Sequence, residues 1–430
     1  MTVPTSAAMV SHELAVEHAI RRGFGPPRPT QERVGIEIEL LAMGPDGRRA
    51  RHETVSRAVA SLGNLASGTL ITFEPGGQLE LSTAPASGVD AACAALAGDL
   101  AVVGDALAGE SVTLVACGLD PAAEVRRVIH APRYDAMAAY FDPQGDAGHT
   151  MMCATAGLQL NLDLEVDPWF PARRWRLSHL LGPMMAAAFA NSPLAGGRPS
   201  GWKSTRLATW WRLDGSRSQS AGGVGGPGVG RSAWGAYVME ARVMLIRTSG
   251  EFVPVHEPMT FADWIRHGHP LGYPTLDDLD YHLTTLFPPV RPRGWLELRM
   301  LDSLPAPWWT VPVAVATALL YDPSAAEAAG WAVLASQGTA DLWVEASRQG
   351  LDHPDLAASA RACFRIALDA MPRLGVGRAT IDTVAAYVDR YVDRGRCPAD
   401  DVLDNWQRTG AAFLPGALSS PVPSASAIWP

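Results

Sequence analysis

Cysteine is scarce in this sequence, and the few cysteines do not form metal or redox motifs. The 430 residues include five, at positions 93, 117, 153, 363 and 397, and no two of them stand in a C-x-x-C spacing. The lack of this spacing argues against zinc-ribbon and dithiol redox motifs. An odd and sparse count also argues against a disulfide framework and is typical of a reducing compartment.

Excess positive charge and long apolar runs are missing as well. The net charge of −9 disfavours a nucleic-acid partner, because phosphate backbones bind basic surfaces. Residues 1–23 contain Glu13, Glu17 and Arg21 and lack the continuous apolar core of a secretory signal. The longest apolar run, residues 311–320, contains Pro312 and is too short to span a bilayer. We therefore expect a cytoplasmic protein with no nucleic-acid or membrane partner.

The pattern of apolar residues predicts half-polar strands followed by a helical block. Strands are expected at 34–42, 71–83, 112–117, 157–164, 236–246 and 295–300. Helices are expected at 8–23, 89–108, 173–190 and through 308–412. This order predicts an α+β fold on an antiparallel sheet, as one catalytic domain over 1–414 with a sheet-bearing core (34–305) and a helical block (306–414). The Pro- and Ser-rich tail 415–430 is predicted to be disordered.

Acidic side chains recur on single faces of the predicted strands. Glu37 and Glu39 are two residues apart, so they project from the same side of one strand; Glu80 and Glu297 lie on two others, and Glu74 precedes a Pro-Gly-Gly turn. One such pair alone is more often the solvated face of a half-buried strand. Three such strands favour a carboxylate cluster, which needs cations because like charges at 4 Å repel by about 4 kcal/mol. Oxygen ligands indicate Mg²⁺, with Mn²⁺ as an alternative.

A Gly-rich segment at 216–230 continues into Arg231 and Ser232, and 225–232 approaches a phosphate-binding loop. It has Arg where that motif needs Lys, no strand precedes it, and a strand rather than a helix is predicted to follow. We interpret the segment as a mobile lid over an active site.

Several sequence blocks resemble glutamate–cysteine ligases of the plant and proteobacterial type, a carboxylate–amine ligase group related to glutamine synthetase. The blocks are FEPGGQLELS (73–82), RYDAM (133–137), MMCATAGLQLNLD (151–163), ANSPLAGGRPSGWKSTR (190–206) and HLTTLFPPVRPRGWLELR (282–299). They occur in family order and cover most of residues 34–310. Within the family the chain looks most like the actinobacterial branch that supplies ergothioneine synthesis.

The resemblance implies a glutamine-synthetase-like catalytic sheet that uses ATP and Mg²⁺ to join L-glutamate to L-cysteine through a γ-glutamyl phosphate. It implies metal ligands at Glu37, Glu39, Glu74, Glu80 and Glu297. It implies catalytic roles for Arg299 and Glu297, nucleotide contacts from Arg299 and Thr285, and substrate contacts from Arg206, Trp210, Gln159, Asn161 and Tyr134.

One block departs from the plant pattern. Cys153-Ala154-Thr155 stands where plant members carry an aromatic residue, Arg and Thr, so a substrate contact made by that arginine has no counterpart in this chain. Two other functions stay open: a carboxylate–amine ligase with another acceptor amine, and a catalytically inactive nucleotide-binding regulator on the same fold.

Overall fold

A computed structural model describes residues 10–25, 32–121, 126–165, 172–222, 230–337 and 341–414. The predicted disordered tail and residues 223–229 of the predicted lid lie outside these ranges.

An eight-stranded antiparallel sheet forms the centre of the fold, as predicted. The strands are β1 (Arg33–Met43), β2 (Leu70–Phe73), β3 (Leu79–Ser82), β4 (Ala86–Ser87), β5 (Thr113–Val115), β6 (Gly157–Leu162), β7 (Leu194–Ala195), β8 (Arg198–Pro199), β9 (Leu245–Arg247), β10 (Phe252–Pro254), β11 (Val290–Pro292) and β12 (Leu296–Asp302). The sheet order is β11-β12-β6-β1-β3-β2, with β4 and β5 also paired to β1, while β7-β8 and β9-β10 form separate hairpins.

Helices flank this sheet and make up all the regular structure after β12 in the described ranges. They are α1 (His12–Phe24), α2 (His52–Ala60), α3 (Val89–Ala108), α4 (Pro132–Phe141), α5 (Ala147–Ala154), α6 (Arg173–Ala188), α7 (Thr205–Trp211), α8 (Gly215–Ser218), α9 (Arg231–Glu240), α10 (Phe261–His267), α11 (Leu276–Leu283), α12 (Thr310–Tyr321), α13 (Pro323–Gln337), α14 (Trp343–Gln349), α15 (Pro354–Ala370), α16 (Arg378–Tyr387) and α17 (Pro398–Thr409). The predicted helical block is therefore confirmed.

The pairing register of β1 separates a polar face of the sheet from an apolar one. Glu37 lies opposite Gln159 of β6, and Glu39 lies opposite Glu80 of β3. The alternate residues Ile36 and Ile38 are at most 1% exposed and belong to the main core. Because side chains alternate along a strand, one face carries the carboxylates and the other packs against helices.

The helical block is joined to the sheet by a fully buried helix. All twelve residues of α12 are buried. At its end, the Tyr321 hydroxyl donates to the Arg33 carbonyl oxygen at 2.6 Å and accepts from the Asp163 backbone N–H at 2.7 Å. These bonds fix the first residue of β1 and the chain just after β6 to the same helix.

Helix α3 is the one helix within the described ranges that is long and apolar enough to cross a membrane. Half of its apolar window is buried inside the protein. Near its middle, Asp99 accepts hydrogen bonds from the hydroxyls of Ser67 at 2.6 Å and Thr69 at 2.5 Å. A buried acceptor tied to neighbouring segments is typical of a core helix, and we interpret α3 as one.

The strand predicted at 236–246 is wrong over most of its length. Residues 231–240 form α9, and only the last part of the predicted range enters β9. Trp234 and Val238, four residues apart, are buried on one face of α9. In the sequence alone, a short apolar run of this kind does not distinguish a helix from a strand. A helix therefore does follow the Gly-rich segment. The described element that precedes residues 225–232 is the short helix α8 rather than a strand, so the phosphate-loop pattern remains incomplete.

Candidate active site

A cavity of about 730 Å³ opens over the polar face of the sheet. Its size is that of a small-molecule site. Most of the residues expected from the sequence line it, and these are Glu37, Glu39, Glu74, Glu80, Tyr134, Gln159, Arg206, Trp210, Glu297 and Arg299.

Three of the carboxylates form a compact group, here called the acidic triad: Glu39, Glu74 and Glu80. One oxygen from each lies within 4.8 Å of the others, and no other group of this kind was found in the described part of the chain. Glu39 and Glu80 are brought together by the β1–β3 register, and Glu74 by the turn between β2 and β3. The triad matches the oxygen-rich donor set that hard divalent cations prefer.

Neighbouring groups fix two of the three carboxylates of the triad. Glu39 accepts from the Gly157 backbone N–H at 2.6 Å and from Gln159 Nε2 at 3.3 Å. Glu80 accepts from the Thr72 hydroxyl at 2.7 Å. These bonds use some lone pairs of each carboxylate and leave others for a ligand.

The turn that carries Glu74 is held by glycines. Gly77 has φ +80°, and a Cβ on Gly76 would lie 2.1 Å from the Cys153 carbonyl oxygen. The Glu74 backbone N–H donates to the Gln78 carbonyl at 2.9 Å, which closes the turn. The Pro-Gly-Gly sequence therefore allows the turn that carries Glu74 to pack tightly against the end of α5.

Burial and mutual repulsion favour the protonated forms of the triad. Burial raises the pKa of Glu74 to about 8, and the charges of Glu39 and Glu80 add to the shift. Burial is also the largest cause of the raised pKa values of Glu39 and Glu80. A bound cation would reverse this preference, because it stabilises the ionised form of each carboxylate.

Glu297, which the sequence resemblance implies to be a metal ligand, is surrounded by arginines. Arg291 donates to both of its oxygens, at 2.5 and 2.9 Å, and Arg293 donates at 3.1 Å. Burial acts to raise the pKa of Glu297, but Arg291 and Arg299 outweigh it and hold the pKa well below its usual range. Glu297 therefore anchors arginines on the cavity wall instead of joining the acidic triad.

Arg299 lies between this arginine group and the acidic triad. Its Nη1 donates to Gln159 Oε1 at 2.5 Å and is 3.5 Å from Glu297. The rings of Trp210 and Phe287 each lie 5.9 Å from its guanidinium carbon. Because Gln159 also donates to Glu39, one amide links the Arg299 guanidinium to the triad.

Arg206, at the start of α7, is 2% exposed, yet two of its three guanidinium nitrogens make no hydrogen bond. Its Nη2 donates to the Arg299 carbonyl at 3.0 Å, but Nε and Nη1 have no hydrogen-bond partner, and Asp302 is 4.0 Å away. A Cβ on Gly157 would lie 2.4 Å from Arg206 Nη2, so glycine is required there. One turn later, Trp210 Nε1 is also without a partner.

Two expected contacts do not reach the cavity. Asn161 donates to Glu37 at 2.8 Å and accepts from Trp295 Nε1 at 2.7 Å, so its amide orients Glu37 instead of facing a substrate. Thr285 is 1% exposed, and its hydroxyl is bonded to the His282 carbonyl and to Arg217. Neither residue lines the cavity.

The structure adds wall residues that the sequence reasoning missed, among them Gln78, Arg133, Arg291, Arg293 and Trp295. Arg291 and Arg293 are two residues apart, the same spacing that indicated Glu37 and Glu39, so that signal was present in the sequence. In the block that departs from the plant pattern, Cys153 is fully buried, and Thr155 lines the cavity.

Comparison with known proteins identifies close relatives. The model of "Glutamate-cysteine ligase family 2" matches residues 33–414. The chain is 43% identical to glutamate–cysteine ligase EgtA of Mycolicibacterium smegmatis over 88% of both chains. It is 41% identical to EgtA of Mycobacterium tuberculosis over 86% of this chain and 85% of the relative.

A solved structure supports the fold. The glutamate–cysteine ligase of Francisella tularensis, solved in complex with AMP, superposes with a TM-score of 0.52 and covers 93% of this chain and 91% of its own. At 15% identity this likeness bears on the fold alone.

Proposed function

This chain belongs to glutamate–cysteine ligase family 2, and on that premise we propose that it joins the γ-carboxylate of L-glutamate to the amine of L-cysteine with ATP. The proposed product is γ-glutamylcysteine, formed through a γ-glutamyl phosphate. The product would enter ergothioneine synthesis, in keeping with the two mycobacterial EgtA relatives, and the reaction would take place in the cytoplasm.

One observation carries the proposal: a single cavity holds the acidic triad together with two arginines, the buried Arg206 and the partly buried Arg299. Phosphoryl transfer to a carboxylate brings together two anions, so it needs positive charge on both. The arginines can neutralise substrate anions directly, and the triad can do so through a cation. The Francisella ligase, which has the same fold, was solved with AMP, and we propose that this chain also takes an adenine nucleotide.

We assign Arg299 to the transferred phosphoryl group. Its guanidinium is held by Gln159 and Glu297 and enclosed by Trp210 and Phe287, so its orientation is fixed before substrate binds. A planar, fixed guanidinium can contact two phosphoryl oxygens at once. Glu297, by neutralising this arginine group, would act as a positioning residue.

We assign Arg206 and Trp210 to the α-carboxylate of glutamate. Arg206 offers two buried N–H groups without partners, and Trp210 offers a third. Buried donors without partners are costly unless a ligand satisfies them. Tyr134, a half-buried cavity residue whose pKa is raised by burial and by Glu74, would border the acceptor side.

The acidic triad fits Mg²⁺, with Mn²⁺ as the alternative. Glu39, Glu74 and Glu80 would hold the ion, and Glu37, oriented by Asn161, lies beside them on the same wall. When bound, such an ion supplies charge neutralisation for the phosphates of ATP.

The assignment is tested by ADP release from the purified protein with glutamate, cysteine, ATP and Mg²⁺. We expect steady release with all components and only background release when cysteine is omitted. Equal rates with ammonia or another amine would replace cysteine by that acceptor. No release with any amine, together with intact ATP binding, would favour an inactive regulator on the same fold.

Arg206→Ala tests the substrate assignment separately. We expect the KM for glutamate to rise while the KM for ATP stays the same, because the lost contact is to the α-carboxylate. A change in the KM for ATP alone would move Arg206 to the nucleotide.

A further inference from the structure

Four buried polar atoms on the cavity wall have no hydrogen-bond partner among the described residues. Three are donors: Nε of Arg206, Nη1 of Arg206, which lies 4.0 Å from the Asp302 carboxylate but makes no hydrogen bond to it, and Nε1 of Trp210. The fourth is an acceptor, Oε1 of Gln78. Buried polar groups are nearly always paired, so a wall with four unpaired atoms points to a ligand that carries the complementary groups.

The orientation of the Gln78 amide is fixed by its neighbours. Nε2 donates to the carbonyl oxygens of Thr155 at 2.8 Å and of Met152 at 3.4 Å. Carbonyl oxygens only accept, so the NH₂ end must face them and Oε1 must be the end without a partner. The side chain is 1% exposed and therefore belongs to the wall, not to a solvated surface.

The backbone around Gln78 holds this amide in place. The Gln78 carbonyl closes the turn by accepting from the Glu74 N–H at 2.9 Å, and Gly76 packs directly on Cys153. The same short stretch of chain reaches the arginine: Gln78 bonds to Thr155, and Gly157, two residues later, contacts the Arg206 guanidinium. Residues 155–157 therefore lie between the Gln78 amide and the Arg206 guanidinium.

Three donors and one acceptor in one cavity complement an α-amino acid, whose carboxylate accepts and whose ammonium donates. We propose that Gln78 Oε1 accepts a hydrogen bond from the α-ammonium of glutamate while Arg206 holds the α-carboxylate. The inference rests on the proposed function, since it takes glutamate as the occupant of the Arg206 site. Gln78 thereby becomes a specificity residue for an amino acid over a plain dicarboxylate.

The chemistry of the reaction assigns this acceptor to glutamate instead of cysteine. The amine of cysteine must lose its proton to act as a nucleophile, whereas the amine of glutamate must stay unreactive. A neutral amide oxygen binds an ammonium group without removing its proton. Gln78 therefore suits the amine that takes no part in bond formation.

The test compares L-glutamate with glutarate, which has both carboxylates but no amine. In the full-length protein, the KM for glutamate and the inhibition constant of glutarate against glutamate are measured for the wild type and for Gln78→Met. We expect kcat/KM for glutamate to fall by about 10–100-fold, the range for a lost hydrogen bond to a charged group. The glutarate constant and the KM for ATP should change by less than about threefold, a bound well below that range.

Gln337→Met is the matched control. Gln337 is also a buried glutamine, and its Nε2 donates to the Ser359 hydroxyl at 2.9 Å in the helical block, away from the cavity. It should show the effect of losing a buried amide on thermal stability, with no change in the ratio of glutamate to glutarate affinity.

Three results would overturn the inference. An equal loss for glutamate and glutarate would show that Gln78 only supports the turn. A rise confined to the KM for cysteine would assign the acceptor to the other amino acid. Unchanged constants in Gln78→Met would remove Gln78 from recognition. Failure of the proposed function is seen separately, as absent ADP release in the wild type or an unchanged KM for glutamate in Arg206→Ala.

Discussion

Glu39 and Glu297 lie on the same face of one sheet but in opposite electrostatic surroundings. Glu39 is 8% exposed beside two other carboxylates, and burial raises its pKa. Glu297 is 0% exposed, and the arginines around it outweigh burial and lower its pKa. The same substitution at the two positions should therefore have opposite effects on stability.

Glu39→Gln should reduce turnover by orders of magnitude while the melting temperature of the metal-free protein holds or rises. The substitution removes a ligand from the triad and also one like-charge repulsion. Melts with and without Mg²⁺ and ATP, run beside ADP-release assays, would test this. Normal activity, or a collapse of the metal-free fold, would contradict the metal site.

Glu297→Gln should instead destabilise the metal-free protein by about 3–5 kcal/mol, because it leaves buried arginine charge without its partner. Denaturant unfolding of the two variants side by side gives the comparison. If Glu297→Gln is as stable as Glu39→Gln, the arginine group does not depend on Glu297.

The raised pKa of Glu74 predicts that the stability of the metal-free protein depends on pH. Its pKa is raised from 4.5 to about 8, so the folded state holds a proton that the unfolded state releases. The contribution to stability is full below pH 4.5 and is lost as the pH rises through about 8. Between these values, stability should fall less steeply in Glu74→Gln than in the wild type.

Metal binding should therefore release protons in the same pH window. Calorimetric titration with Mg²⁺ at pH 7 in two buffers of different ionisation enthalpy would measure the release. Identical heats in both buffers would show that Glu74 is already ionised before the metal binds.

At the scale of elements, the turn between β2 and β3 sets both Glu74 and Gln78. Gly76→Ala would place a methyl group 2.1 Å from the Cys153 carbonyl oxygen, so the turn must move away from α5. We expect loss of most activity and a lower melting temperature.

Gly98→Ala is the matched control for this substitution. Gly98 lies inside α3, and no atom of a neighbouring element comes within 4 Å of the place that a methyl group would take. Alanine should therefore stabilise the protein by about 0.5–1 kcal/mol and leave activity unchanged. Equal behaviour of the two variants would contradict a special role for the turn.

The strands and the acidic face were predictable, whereas the partners of each side chain were not. The two-residue spacing of Glu37 and Glu39 places both on one face without further information. The sequence does not contain the register that sets Glu39 opposite Glu80, nor the pairing of Arg291 with Glu297, because both depend on how strands pair in the folded sheet. The error at 236–246 has the same origin, since α9 packs against α1, a helix distant in sequence, and Trp234 Nε1 donates to the Ala19 carbonyl oxygen at 3.2 Å.

At the scale of the molecule, the sheet and the helical block share one core. Phe189, just after α6, packs on Phe364 and Tyr387, and the Tyr387 hydroxyl donates to the Ala188 carbonyl at 2.8 Å. We therefore expect residues 1–414 to behave as a single domain with one cooperative unfolding transition.

Tryptophan fluorescence and far-ultraviolet circular dichroism should report coincident melting curves. A fragment ending at residue 305 should not fold, because it would expose the surface that α12 covers. Two separate transitions, or a stable fragment, would divide the chain into two units.

The alternation along β1 also has a consequence for how the chain folds. If β1 paired one residue out of step with β3 and β6, Glu37 and Glu39 would enter the apolar core, and Ile36 and Ile38 would face the cavity. Such a slipped arrangement would bury carboxylates in the apolar core and would be too unstable to persist. The glutamates proposed for the chemistry therefore also help to select the correct strand register. Every folded molecule in a preparation of this protein should accordingly have the same strand register, and no folded fraction with a shifted β1 is expected.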